Sequence, residues 1–170
     1  MRKSFLFVAF VMSIVLSGCA GLDNLMGKFS TEKNTNIANP WIDCATIEDA
    51  EKIAGYDIMV PDRIEGYPDT FIQAVKKEMI QVFYYDAKEN EDERSRVLIR
   101  KGVGNEDISG DYNEYSQIES AEMHGINVDL RGNDNLIYNA TWYQGGYAYA
   151  ILSDEGLSRD LIEFFVEIIK

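Results

Sequence analysis

Apolar and polar positions repeat with two different periods along this chain, and the change of period predicts its elements. From Ile47 onward, apolar side chains recur at helical spacing. Thr46 stands where a helix N-cap belongs, and Asp49 follows three residues later, as in a short capping box. Gly55 is placed to end the helix. We therefore predict a helix over residues 46–54. Its apolar face comprises Ile47, Ala50, Ile53 and Ala54.

Beyond Gly55 the chain consists of short runs rich in β-branched and aromatic residues, separated by glycine, asparagine and charged turns. Residues 101–115 contain several turn-forming residues and many acids, which predicts a long loop. No helical period separates the later runs, so the sheet is predicted to be antiparallel and not built of βαβ units. A short extended piece at 56–61 precedes predicted strands at 71–75, 79–85, 96–100, 117–123, 126–131, 136–143 and 147–152.

The C-terminus predicts a second helix that packs on this sheet. Ser153 and Asp154 are available as capping groups before it. The predicted apolar stripe consists of Leu157, Leu161, Phe164, Phe165 and Ile168. Together these elements indicate an α+β fold, an antiparallel meander sheet of about six or seven strands with an N-terminal and a C-terminal helix packed on it.

The first residues predict a lipoprotein signal peptide. Arg2 and Lys3 give a cationic start, and an apolar run over residues 5–16 follows. That run is too short to span a membrane stably, which takes roughly 20 apolar residues. The order Leu16-Ser17-Gly18-Cys19 resembles the bacterial lipobox, in which the cysteine receives the lipid. A plain signal peptide or a membrane anchor with an incidental cysteine is the alternative.

This interpretation divides the chain into three parts. Residues 1–18 form the signal peptide, residues 19–39 are the lipidated N-terminus and a flexible polar tether, and residues 40–170 form a single α+β domain. Several acyl chains, palmitate among them, would hold the protein on a bilayer without help from the domain. We expect a lipid-anchored protein on the extracytoplasmic face of the cell membrane.

Charge excludes one class of partner. Asp and Glu number 29 against 16 Lys and Arg, for a net charge of −13. Nucleic acid is therefore not an expected partner, since phosphate binding depends on Lys and Arg. Solubility outside the cell explains the acids more simply than a dedicated cation or cationic-peptide site. With Cys19 lipidated, Cys44 would be a free thiol or a small buried residue.

No catalytic constellation stands out, so we expect neither an enzyme nor a cofactor. The only histidine, His124, precedes Gly125 at a predicted turn, and no serine lies in a nucleophile elbow. Zinc is not expected from Cys44 and His124 alone. A weak calcium candidate is the acidic loop at 105–114, with Asp107 and Asp111, although the EF-hand pattern fails at its last ligand position. A solvated loop is the simpler interpretation.

Aromatic residues near the C-terminus offer a candidate ligand-binding surface. On a strand, Trp142 and Tyr143 face opposite sides, whereas Tyr147 and Tyr149 share one side. Part of the set should thus face away from the helix-covered core and could bind a glycan, a peptide or an apolar ligand. The candidate ligand-binding residues are Trp142, Tyr147 and Tyr149. Tyrosines that simply cover a sheet are the alternative.

Several segments resemble a domain-of-unknown-function family of Gram-positive, clostridial-type lipoproteins and anti-sigma-type extracellular regions. They are residues 47–56 with Val60-Pro61, the strand near 82–85, Ala140-Thr141-Trp142, the closing helix and the run at 106–112. The resemblance implies an antiparallel sheet with flanking helices, distantly similar to lipoprotein-carrier half-barrels. It implies no reaction.

The sequence thus predicts a membrane-anchored extracytoplasmic lipoprotein with a non-enzymatic binding or sensing domain. Its expected partners are the membrane, through the N-terminal lipid, and a peptide or an envelope protein. Its expected binding surface is the aromatic sheet face and the acidic loop. The alternative is a lipoprotein-carrier-like domain that holds an apolar ligand between the sheet and the C-terminal helix.

Overall fold

A computed structural model of the chain describes residues 39–170. The strands, in chain order, are β1 (Ile42–Cys44), β2 (Asp69–Val75), β3 (Met79–Tyr85), β4 (Arg96–Val103), β5 (Gln117–Met123), β6 (Ile126–Asn133), β7 (Leu136–Gln144) and β8 (Tyr147–Leu157). The helices are α1 (Ile47–Ala54) and α2 (Arg159–Ile168), with a short 3-10 turn at Glu91–Glu93. The fold is α+β, as predicted.

All eight strands form one antiparallel sheet in the order β1-β2-β3-β4-β8-β7-β6-β5. Two four-stranded meanders therefore join at β4 and β8. The predicted number of six or seven strands was too low. The strand that the prediction missed is β1, which pairs Ile42 with Ala74 and Cys44 with Ile72. A three-residue strand has no readable alternation, and its pairing comes from β2.

Helix α1 begins and ends where the sequence predicted. The Thr46 side chain accepts a hydrogen bond from the Asp49 backbone N–H at 3.2 Å, which satisfies one of the free donors of the first turn. Gly55 ends the helix at φ 82°, a conformation that glycine adopts without strain. Ala50 and Ala54 are buried against the sheet.

Helix α2 differs from its prediction in both its cap and its buried face. Strand β8 continues to Leu157, so Ser153 and Asp154 belong to the strand, and Ser158 is the N-cap that accepts from the Leu161 backbone N–H. The buried face consists of Ile162, Phe165, Val166 and Ile169, whereas Phe164 is half exposed. The prediction placed Leu157 in the helix and drew the apolar stripe from that residue. The predicted stripe therefore does not coincide with the face that is buried.

Both helices cover the same face of the sheet. One hydrophobic cluster contains Ala50 and Ala54 of α1, Ile162 and Phe165 of α2 and the inward-facing side chains of seven strands, β2 to β8. The end of the chain is tied to this layer, since Met59 and Lys170 exchange two backbone hydrogen bonds of 2.9 and 3.3 Å. None of the helices in residues 39–170 is long and apolar enough to cross a membrane.

The other face of the sheet is crossed by the chain itself. Strand β4 ends next to the β7–β8 turn, whereas β5 lies at the far edge, beyond β8, β7 and β6. Residues 104–116 make this connection, and we call them the crossing segment. Gly104 donates its backbone N–H to Gly146 O at 3.1 Å at one end, and Ser116 donates to Asn133 Oδ1 at 2.8 Å at the other. The segment therefore spans the sheet face opposite the helices.

Adjacent phenylalanines test the burial pattern of α2. Phe165→Ala removes a ring that is 2% exposed and should lower the free energy of unfolding by about 3–5 kcal/mol. Phe164→Ala removes a ring that is 50% exposed and should cost less than about 1 kcal/mol. Urea denaturation of both variants measures the difference. Equal losses would contradict the observed orientation of the helix.

Candidate functional site

Arg100 attaches the crossing segment to the sheet. Its side chain points to the face opposite the helices, where Nη1 donates to Ile108 O at 2.9 Å and to Ser109 O at 2.6 Å. Burial lowers the pKa of Arg100, and the nearby Arg96 charge adds to that effect. A guanidinium stays charged through such a shift and supplies several fixed donors, so it suits the satisfaction of loop carbonyls that face a sheet.

A chain of side-chain hydrogen bonds supports Arg100 from across three further strands. Arg100 Nε donates to Gln81 Oε1 at 2.9 Å, Gln81 Nε2 donates to Gln73 Oε1 at 2.6 Å, and Gln73 Nε2 donates to Asp43 Oδ1 at 2.7 Å. Gln81 is buried in this array, so its amide needs both partners. The array fixes the guanidinium, and through it the middle of the crossing segment.

The weak calcium candidates, Asp107 and Asp111, are used to fold the crossing segment. Asp107 Oδ1 accepts from the Ser109 backbone N–H at 2.8 Å, and Asp107 Oδ2 lies 3.0 Å from Arg131 Nη2. Asp111 accepts from the Tyr115 hydroxyl at 2.7 Å and from Asn139 Nδ2 at 2.9 Å. Nowhere in residues 39–170 do three or more His, Cys, Asp or Glu side chains gather as a metal would require. The acids act here as hydrogen-bond acceptors.

A cleft opens beside the start of the crossing segment, where two strands stop pairing. Strands β6 and β7 pair from Val128↔Trp142 onward, with a register shift between Arg131 and Gly132. Towards the turns, Asn127 on β6 and Tyr143 on β7 do not form a ladder pair and instead line a cleft of about 550 Å³. Other lining residues are Asn105, Glu106, Asp107, Asp129, Arg131 and Thr141.

The three candidate aromatic residues lie on the helix-covered face and not on an exposed surface. Trp142 is 5% exposed and Tyr149 is 4% exposed, and their rings stack with centroids 5.1 Å apart. Tyr147 is partly buried against the same core. Tyr143 does face away from that core and is 52% exposed. The expectation that part of the aromatic set faces outward therefore holds for Tyr143. The buried rings of Trp142 and Tyr149 form part of the cleft lining.

Tyr147 and Tyr149 form, with Tyr56, a box that the chain fills with its own lysine. Lys101 Nζ lies 4.5 Å from the centroid of the Tyr147 ring and between 5.5 and 5.6 Å from those of Tyr56 and Tyr149. It donates to Asp57 O at 2.7 Å, and burial lowers its pKa. Because the aromatic faces already hold an ammonium group, this box is structural and not a vacant cation site.

The remaining sequence candidates lie apart from the cleft. His124 is on the β5–β6 turn at φ 50°, with Glu163 Oε1 at 4.0 Å from its Nε2. Cys44 is a partly buried free thiol whose pKa is raised by burial and by the charge of Asp49. Leu16, Ser17, Gly18 and Cys19 lie outside the described residues.

Sequence patterns singled out part of the cleft lining, namely the start of the acidic loop with Asp107, and Trp142 and Tyr149, but not the polar face of β6 and β7. Asn127, Asp129 and Arg131 alternate along β6 as polar positions, and Thr141 and Tyr143 continue the same face on β7. That alternation can be read from the sequence, but every half-buried strand shows it on its outward face. Only the position of the crossing segment turns this face into one wall of a cleft.

Comparison with known proteins gives no relative. A scan of protein-family models, a search of curated protein sequences and a search of solved structures each return no match to this chain. The resemblance to the Gram-positive lipoprotein family therefore stays a prediction from the sequence.

Replacing Arg100 tests the attachment of the crossing segment. Arg100→Met keeps much of the aliphatic stem and leaves two backbone carbonyls and the Gln81 side chain without their donor, so the free energy of unfolding should fall by about 1–3 kcal/mol. Arg96→Met on the same strand removes a half-exposed partner of Asp154 and should cost less than about 1 kcal/mol. Denaturant unfolding of both variants measures these losses. A loss of stability in Arg100→Met no larger than that in Arg96→Met would refute the attachment.

Acid unfolding tests the role of Asp111. Burial alone would raise its pKa, but hydrogen bonds from Tyr115, Asn113 and Asn139 outweigh that effect and hold the pKa below its usual value. Ionised Asp111 therefore stabilises the fold above the unfolded-state pKa of about 3.9, and this contribution is lost as the pH falls through the folded-state pKa.

We expect the free energy of unfolding to decrease between about pH 5 and pH 2 less steeply in Asp111→Asn than in the natural chain. Asp92→Asn, which changes an exposed acid on the Glu91–Glu93 turn, is the control and should keep the natural slope. An unchanged slope in Asp111→Asn would show that this carboxylate does not hold the segment.

Proposed function

We propose that this protein is a lipid-anchored extracytoplasmic lipoprotein with a non-enzymatic binding domain, and that the domain binds its ligand in the cleft between the crossing segment and strands β6 and β7. The anchor rests on the Leu16-Ser17-Gly18-Cys19 sequence. The binding role rests on the cleft, whose volume of about 550 Å³ lies in the range of about 300–1,000 Å³ that ligand sites occupy.

The lining of the cleft supports binding and not catalysis. Its titratable groups are Glu106, Asp107, Asp129, Arg131 and two tyrosines. Asp107 is paired with Arg131, and Asp129 accepts from the Ser120 hydroxyl. General acid–base catalysis needs one protonated and one deprotonated group next to the reacting atoms. His124 does not line this cleft.

Packing beneath α2 favours this proposal over the carrier alternative. A carrier would need space for an apolar ligand between the sheet and that helix. Ile162, Phe165 and Val166 occupy that interface and are fully buried. They pack into the single hydrophobic cluster of the domain together with the inward side chains of β7. Removing those contacts to admit a ligand would cost the energy that holds the helix on the sheet.

The anchor is tested by metabolic labelling of the full chain with a clickable palmitate analogue in a lipoprotein-processing bacterium. Cys19→Ser removes the thiol that forms the thioether, so labelling and recovery in the membrane fraction should both be lost. Cys44→Ser is the matched control, because it replaces the other cysteine of the chain, and it should keep both. Labelling that persists in Cys19→Ser, or that disappears only in Cys44→Ser, would contradict the proposal.

A further inference from the structure

The cleft presents mostly uncharged hydrogen-bonding groups. Its lining includes the side chains of Asn105, Asn127, Thr141 and Gln144, which contribute amide and hydroxyl donors and acceptors. Tyr143 stands beside them, with half of its surface exposed. An exposed aromatic ring next to amide and hydroxyl groups is suited to a ligand with an apolar face and a hydroxylated edge.

The carboxylates of the cleft have protein partners, which reduces its attraction for a cation. Asp107 forms its ion pair with Arg131 and also accepts from the Ser109 backbone N–H. Asp129 accepts from Ser120 on the neighbouring strand. Glu106 is the remaining carboxylate of the lining. Each engaged carboxylate still has acceptor positions to which a ligand hydroxyl can donate, since an ionised carboxylate accepts at about four lone-pair sites.

A buried donor at the cleft also lacks a partner. Trp142 lines the cleft, and its indole Nε1 is buried without a hydrogen-bond acceptor among residues 39–170. A buried N–H with no acceptor destabilises the fold, so such groups in folded proteins call for a specific explanation. A ligand oxygen that reaches Nε1 from the cleft would supply such an acceptor.

We propose that the cleft binds a short neutral oligosaccharide, with Tyr143 packed on the C–H face of one sugar ring and the hydroxyls bound by Asn127, Asp129, Arg131 and Thr141. This inference rests on the proposed binding function and names its ligand class. A basic peptide, which the net charge of −13 would also attract, is the competing ligand class. The two differ in salt dependence, because a neutral sugar has no charge for salt to screen.

The experiment uses Trp142 as the reporter. The chain has two tryptophans, so the full chain with Trp41→Phe carries a single indole at the cleft. It is purified in a detergent without a sugar headgroup and titrated with maltohexaose, cellohexaose, xylohexaose and chitohexaose, and separately with hexalysine. Tryptophan emission gives Kd in about 0.05 M and 0.5 M NaCl.

We expect at least one hexasaccharide to give a saturable change whose Kd differs less than twofold between the two salt concentrations. Tyr143→Ala should weaken that binding at least tenfold. Tyr112→Ala, which removes an exposed tyrosine of the crossing segment that does not line the cleft, should leave it unchanged.

Two results would overturn the oligosaccharide proposal. Saturable binding of hexalysine alone, abolished at high salt, would assign the cleft to a basic peptide and keep the proposed binding function. No response to any of the hexasaccharides would overturn the oligosaccharide proposal whatever hexalysine does, and the proposed binding function does not depend on that result. Palmitate labelling is independent of both results, so the anchor stands or falls separately.

Discussion

The position of β8 between β4 and β7 is the constraint on which the rest of the structure depends. It places three strands, β8, β7 and β6, between the end of β4 and the start of β5, so residues 104–116 must cross the sheet face that the helices leave open. A segment without regular structure brings unpaired backbone groups onto that face, and these require partners. Arg100, held by Gln81, Gln73 and Asp43, supplies donors to two of its carbonyls.

The same constraint produces the cleft. Where the crossing segment begins, Asn105 and Asp107 stand over the part of the sheet in which β6 and β7 are no longer paired. The helix-covered face, in contrast, carries the hydrophobic cluster of the domain, and Lys101 fills the tyrosine box on that face. The face opposite the helices thus combines a cavity, an exposed ring and polar side chains.

Local patterns predicted most of the elements but not the way in which they meet. The cap at Thr46, the stop at Gly55 and the alternation of β6 each act within a few residues, so α1 and most strands could be placed. Strand β1 and the N-cap Ser158 depend on tertiary pairing, and both were missed. Exposure of Trp142 and Tyr149 could not be judged from alternation, because alternation gives the two faces of a sheet without saying which one the helices cover.

Hydrogen exchange of the crossing segment tests the central claim, that residues 104–116 are fixed on the sheet and form one wall of the cleft. The backbone N–H groups of Ser109, Asp111 and Ser116 are bound to Asp107, Ser109 and Asn133, so their exchange should be slowed, as in the strands beside them. Exchange of these amides at the rate of an unstructured peptide, with β4 and β6 still protected, would contradict the account.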